Sequence, residues 1–352
     1  MIKISRGAVW GTLLASALLT GCGTTQAAAP MSKPVTTAAP AHPTAGSGSW
    51  LVGAAASPPS GAGNGFLWLE HQNHWHLVSL GQGANAFQAA VWGSWVFVPT
   101  LTGTTDVVDW TTQKPVKTLA TPVGSRVALV DGATHRLYLI GPNTTAAYTL
   151  PGLNPLWQKP VGGNTAVMAD NRLYLNAPTA DVTTVLNAET GAPEQNVPVG
   201  HIEDMVFDPA YHTIWMANWY NGDMTVLNAA TNRVVTTLHE AEGGGFSMTN
   251  KMGAMSGYMQ IAVGPNGQHV YAAAFSGNIM VFNANTNQFV RDVPAPVPMA
   301  KLSGLAIDPN GEIAYTTVES QNETIAVSLK SGALLALWPH IQSNRWLTFS
   351  AP

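Results

Sequence analysis

Three groups of side chains in this sequence combine residue type and spacing in ways that could do chemistry. Glu70-His71-x-x-His74-x-His76 sets three imidazoles close together, and imidazole is a ligand for zinc or copper. Met248, Met252, Met255 and Met259 recur at offsets of four, three and four. That is one face of a helix if the segment is helical, and thioethers are soft ligands suited to Cu(I). The third group is polar and aromatic: His201, Glu203 and Asp204; Asn218, Trp219, Tyr220 and Asp223; Lys301; Glu319, Asn322 and Glu323. These are ligand-binding candidates, and Glu203, Asp204 or Glu323 could serve as metal or acid–base groups. The bland alternatives are solvated loop residues, edge histidines and a capping helix whose Met face simply packs. Only a fold could bring the third group together.

The elements that would position them are short strands. Residues 205–238, MVFDPAYHTIWMANWYNGDMTVLNAATNRVVTTL, contain four apolar runs with period-two alternation. Each ends in turn residues such as Asp208-Pro209, Asn221-Gly222-Asp223 and Thr231-Asn232. Four strands in so short a stretch predict an antiparallel meander, which cannot bury both faces without copies of itself on either side. The copies are present. Residues 260–290 and 304–337 match almost turn for turn, and 126–150 and 166–197 keep the second and third strands. The aromatic residue of the second strand falls at Phe97, Tyr138, Tyr174, Trp215, Tyr271 and Tyr315, giving spacings of 41, 36, 41, 56 and 44. A period near 40 with four strands per unit predicts an all-β β-propeller.

The second strands Trp215-Met216-Ala217-Asn218 and Phe97-Val98-Pro99-Thr100 resemble the Tyr-Val-Thr-Asn repeat of the YVTN-type β-propellers. The third strands ending Val226-Leu227-Asn228 and Val281-Phe282-Asn283, each with Thr-Asn three residues later, look like that family's Val-Ile-Asp followed by Thr-Asn. The resemblance covers roughly residues 49–350. It implies a fold and no particular chemistry, since a propeller is a scaffold for unrelated functions.

The unit at 49–80 has no innermost strand, whereas RWLTFS at 345–350 follows a complete unit and carries the inner-strand pattern. This C-terminal strand is expected to complete the first blade, closing a seven-bladed ring and removing its open edges. In propellers, the loop between second and third strands and the link from outer strand to next inner strand lie on one face around the channel. That rule gathers the third group of candidates on one surface, together with the insertion at 240–258 that accounts for the spacing of 56. Gly243 to Gly245 would hinge that insertion as a lid or cap over the channel mouth. The histidine hairpin, with Gln72-Asn73 at its turn, falls on the periphery. Asp308-Pro309-Asn310-Gly311 and Gly264-Pro265-Asn266-Gly267 superficially suggest calcium loops, but their recurrence at one hairpin of successive units marks them as turns.

Composition narrows the possibilities. The chain has 352 residues, 46% hydrophobic and only 10% charged, with a formal net charge of −4. A charged fraction so far below the usual quarter, with no basic excess, gives no footprint for nucleic acid. No Gly-x-Ser-x-Gly, Walker loop, dinucleotide fingerprint or His-Glu-x-x-His occurs. Thr190-Gly191 and Ser331-Gly332 with Trp338 faintly resemble repeats of quinone-cofactor propellers, but such turns establish no cofactor, and none is expected.

The N-terminus reads as a targeting signal. Lys3 and Arg6 precede an apolar run at 7–19, too short to span a bilayer and suited to a signal peptide. It closes with Leu19-Thr20-Gly21-Cys22, which resembles the lipobox of bacterial lipoproteins. The resemblance implies a signal peptide at 1–21, cleavage before Cys22 and acylation of its thiol. Cys22 is the single cysteine, so an intrachain disulfide, a Cys-x-x-Cys-His haem site and a thiolate zinc cluster are excluded. Residues 22–48 are rich in Ala, Pro and Thr and lack aromatics, a composition that cannot bury enough surface to order itself. They are expected to act as a tether of on the order of 30 Å as a coil, with the propeller at 49–352.

Three functional classes follow. The first is a lipid-anchored, extracytoplasmic binding or interaction module, at the cell surface or in the periplasm. It would be a monomer taking a protein, glycan or small molecule at the channel face. The second is a propeller hydrolase such as a lactonase. The third is a copper or redox accessory protein using the Met-rich insertion.

Overall fold

The computed structural model describes residues 49–57, 64–72, 74–82, 84–218, 222–239, 257–341 and 346–350, all within the unit Pro40–Pro352. They form 28 strands in seven four-stranded antiparallel sheets. We number these blades from the N-terminus. Blade 2 runs Ala90–Trp92, Trp95–Pro99, Thr104–Asp109, Lys114–Ala120 from the channel outward. Blades 3 to 7 repeat this order, with inner strands Val127–Asp131, Thr165–Ala169, Ile202–Asp208, Tyr258–Val263 and Leu302–Ile307.

Blade 1 is assembled from both ends of the chain. Trp346–Phe349 pairs antiparallel with Leu51–Ser57, with Phe349 opposite Leu51 and Trp346 opposite Ala54. Ser350 N–H donates to the Trp50 carbonyl and Trp50 N–H to Ser350 Oγ, each at 2.8 Å. The expected closing strand is therefore present, and the second strand of blade 1 is paired on both sides.

Packing between blades confirms the ring. The described residues form seven apolar clusters, and each joins one blade to the next, including blade 7 to blade 1 through Tyr315, Trp338, Leu51 and Leu347. Seven blades in an open row would share only six interfaces. The second-strand aromatics are what these interfaces are built on: Phe97, Tyr138, Tyr174, Trp215 and Tyr315 are fully buried, and Tyr271 nearly so. Burial of such side chains contributes about 1.5–3 kcal/mol each, which explains why the chain repeats a large ring at this position.

The Asn and Thr-Asn elements of the repeat have a local cause. At the hairpin between third and outer strands, Asn228 Oδ1 accepts from Thr231 N–H at 2.9 Å, and Asn283 Oδ1 accepts from Asn285 and Thr286 N–H. Asn187 does the same for Glu189 and Thr190, and Asp109 for Thr111 and Thr112. The residue that closes each turn has positive φ: Asn232 at 54°, Asn287 at 52° and Gly191 at 67°. A short side-chain acceptor followed by a residue tolerant of the left-handed region is what this turn requires. The Asp308 hairpin is a turn as well, its Oδ1 accepting from Glu312 and Ile313 N–H at 2.7 Å.

Candidate functional site: the mouth of the channel

The inner strands line a central channel with walls of Leu129, Val167, Val206, Ala262, Leu305 and Leu347 among others, enclosing about 410 Å³. At the end where the inner strands begin, the channel opens into a second space of about 210 Å³. Its lining comes from equivalent positions of successive blades: Phe87 and Gln88, Arg126, Asn164 and Thr165, Glu203 and Asp204, Met259 and Gln260, and Trp346.

Asp204 is the most perturbed group here. Its Oδ2 accepts from Ile261 N–H of blade 6 at 2.9 Å, and Thr165 Oγ1 of blade 4 approaches Oδ1 at 3.5 Å. Removal from water pushes its carboxyl up to about 7; the N–H groups of Ile261 and Met205 hold it down, and the neighbouring Glu203 charge adds to the rise. Desolvation dominates because the carboxylate is buried at the blade junction. Gln260 makes the matching link onward: Oε1 accepts from Leu305 N–H of blade 7 at 2.8 Å and from Leu347 N–H of blade 1 at 2.7 Å. Its Nε2 donates to the Leu347 carbonyl at 2.7 Å. On the far side of the mouth, the Arg126 guanidinium lies over the Phe87 ring, 4.5 Å from its centroid, a cation–π contact. Gln88 N–H donates to the Arg126 carbonyl at 3.1 Å.

The structure sorts the sequence candidates by their distance from this mouth. Glu203 and Asp204 line it. His201 is exposed beside it, with Nδ1 2.9 Å from the Pro178 carbonyl and Nε2 3.4 Å from Asp181. The other described candidates share the face but not the pocket. Asp223 pairs with His239 at 3.2 Å, and its carbonyl accepts from Asn218 N–H at 2.9 Å. Lys301 Nζ sits 5.9 Å from the Phe275 centroid, and its carbonyl accepts from Glu319 N–H. Glu323 is buried, with Oε1 lacking a hydrogen-bond partner among the described residues. Trp219 and Tyr220 lie outside the described residues.

Two sequence readings require correction or relocation. Met259 does not continue a helical Met face: it lies in the inner strand Tyr258–Val263, buried, and walls the pocket. Tyr258 likewise belongs to blade 6, paired with Ala274, so the insertion ends before it. The start of this strand is buried on both faces, so Met259 is set by strand packing and not by the helical spacing. Met248, Met252 and Met255 lie outside the described residues, as does Cys22. In the histidine hairpin, His71 does oppose His74. Yet His71 stacks on Trp50 at 4.6 Å, and His76 packs on the same indole at 6.1 Å. Among the described residues, no three His, Cys, Asp or Glu side chains are placed to hold a metal ion.

Arg126, Gln88, Phe87, Asn164, Gln260 and Trp346 belong to the site and carried no motif. A signal for them exists in the repeat register, because each stands within three residues of the start of an inner strand.

With this geometry in hand, comparison with solved structures is informative about the fold. The chain is similar to hydrazine synthase of Kuenenia stuttgartiensis, with a TM-score of 0.59 and 14% identity over 70% of this chain and 77% of that one. At that identity, the likeness shows the propeller fold alone. No protein-family model matches the chain, and no curated protein matches its sequence.

Proposed function

We propose that this chain is a lipid-anchored, extracytoplasmic binding module of YVTN type, and that it holds a small polar ligand of no net charge at the channel mouth. The observation that carries this reading is the lining of the mouth. A cation over an aromatic ring at Arg126 and Phe87 stands two blades from the carboxylates of Glu203 and Asp204, with the amides of Gln88, Asn164 and Gln260 and the ring of Trp346 between and around them. Opposed charges favour a ligand that is neutral or zwitterionic, and few polar groups within a partly apolar wall are the usual makings of a small-molecule site. A space of about 210 Å³ falls below the roughly 300–1,000 Å³ of drug-sized pockets, which suits a ligand the size of a monosaccharide or amino acid.

Anchoring rests on Leu19-Thr20-Gly21-Cys22 and the Ala/Pro/Thr-rich stretch behind it. Cys22→Ser should leave the protein unprocessed or release it from the membrane fraction; a lipid-labelled product persisting in that variant contradicts the anchor. Support for the YVTN type comes from the buried second-strand aromatics and the Asn-capped hairpins.

One observation favours a second reading, a propeller hydrolase. A carboxyl at about 7 beside a second carboxylate in a pocket is suited to general acid–base work. Turnover of a chromogenic lactone or ester that is lost in Asp204→Asn would establish it; no turnover above background removes it.

A further inference from the structure

The face opposite the channel mouth carries a continuous band of aromatic and imidazole rings across blades 1 to 3. Inner strands begin at the mouth, so the pairing of Phe349 with Leu51 puts Ser350 and Trp50 at the far end, among the hairpins that join inner to second strands. There His71 and His76 pack on Trp50, and Trp50 packs on Trp110 at 5.5 Å. Trp110 Nε1 donates to the Gly93 carbonyl at 2.8 Å in the next hairpin, whose Trp92 packs on His135 at 5.9 Å. None of these six rings is fully buried. Lys114 and Lys117 are exposed near them, and Asp109 and Asp131 stand in the same hairpins, each accepting hydrogen bonds from its own turn.

Residues 22–48 join the chain at this face, since Ser49 precedes Trp50 and its carbonyl lies 3.5 Å from His71 Nδ1. We propose that the band around Trp50, Trp92 and Trp110 docks on the lipid headgroup layer, so that the channel mouth points away from the membrane. This rests on the anchoring reading above. Tryptophan, with an apolar body and one N–H, is the residue that favours the headgroup level. The tether supplies the remainder. A link of this length between the anchor and Ser49 keeps the face near the bilayer at a local concentration of roughly millimolar, so docking too weak to recruit a free protein still orients an anchored one.

The test uses the acylated full-length mature chain in phosphatidylcholine–phosphatidylglycerol vesicles. Acylation occupies Cys22, so a spin label can be attached at His135→Cys on the band or at Asp181→Cys beside the mouth, whose side chain is 90% exposed. Collision of the label with a headgroup-tethered nickel chelate should be about threefold higher at position 135 than at 181. Adding Trp92→Ala and Trp110→Ala should reduce it to the value at 181. Equal collision at both positions in protein that floats with the vesicles overturns docking and leaves the anchor standing. Protein that does not float overturns both. Equal collision together with co-sedimentation on an insoluble glycan, lost in Trp92→Ala, overturns docking in favour of saccharide stacking.

Discussion

The Gln260 side chain holds Leu347 by both of its backbone groups, donating from Nε2 to the carbonyl and accepting at Oε1 from the N–H, each at 2.7 Å. Gln260 stands on blade 6 and Leu347 on the C-terminal strand that completes blade 1, so one amide reaches past blade 7 to hold the strand that closes the ring. The same Oε1 takes Leu305 N–H of blade 7. Gln260→Leu keeps the bulk and strands these buried backbone groups, at about 1–3 kcal/mol for each one left unpaired. We expect a loss on the order of 3 kcal/mol in chemical denaturation, with Gln260→Glu intermediate. A midpoint within error of wild type would show that the clasp contributes nothing.

Removing residues 345–352 takes away the closing strand itself, leaving the second strand of blade 1 as an unpaired edge and uncovering the apolar flank of blade 7. Unpaired edges template aggregation. Light scattering during thermal unfolding should show onset well below that of Gln260→Leu. A soluble variant with unchanged melting would mean the ring closes without this strand.

Burial raises Asp204 to about 7, far above the roughly 3.9 of an aspartate in water, and this sets the direction of a pH effect. Between those two values the folded state holds a proton that the unfolded state has released, so the contribution is complete below pH ~4 and is lost as pH rises through about 7. The swing is up to about 4 kcal/mol. Wild type should therefore gain stability on acidification from pH 8 to pH 5, and Asp204→Asn, whose Oδ1 still accepts from Ile261 N–H, should show a flatter profile. Parallel profiles for the two proteins would remove Asp204 from the titration.

Equivalent turn positions in successive blades should respond differently to the same change. Asn232 and Asn287 both have positive φ, at 54° and 52°. Asn232 accepts from Tyr174 Oη at 2.6 Å and donates to Gln195 at 3.1 Å, joining blade 5 to blade 4, whereas Asn287 Oδ1 is buried without a partner among the described residues. Glycine satisfies the backbone at both sites. Asn232→Gly should cost about 1–2 kcal/mol through the lost bonds, and Asn287→Gly should be near neutral. Equal costs in equilibrium denaturation would mean that the turn, not the link between blades, uses the side chain.

How much of this was legible in the sequence depends on what each residue does. Trp215, Tyr174 and their counterparts could be read because a repeat fold asks the same packing of each unit and so writes the same residue type at a fixed interval. The Asn228 and Asn283 turns were legible for the same reason. Glu203 and Asp204 were found through the face rule, which needs only strand order. Arg126, Gln88 and Gln260 were not, because the residue type at these places differs from blade to blade and only the position near the start of an inner strand repeats. Met259 misled, since its offset fits a helix while its burial belongs to a strand. The Trp50–His71 stack was also hidden: the spacing of the histidines suggested ligands, and the indole that fills the space between them lies some twenty residues away in sequence.

The central claim, a small-ligand site at the channel mouth, is tested most directly by the melting temperature of the full mature chain against a panel of monosaccharides and amino acids, in wild type and in Arg126→Gln/Glu203→Gln. A ligand at 100 times its Kd stabilises by about 2.7 kcal/mol. The account predicts that at least one member of the panel raises the wild-type Tm by a few degrees, and that the double variant, folded and with an unshifted baseline, loses the response. A wild type that responds to no member of the panel, or a shift that survives in the double variant, contradicts it.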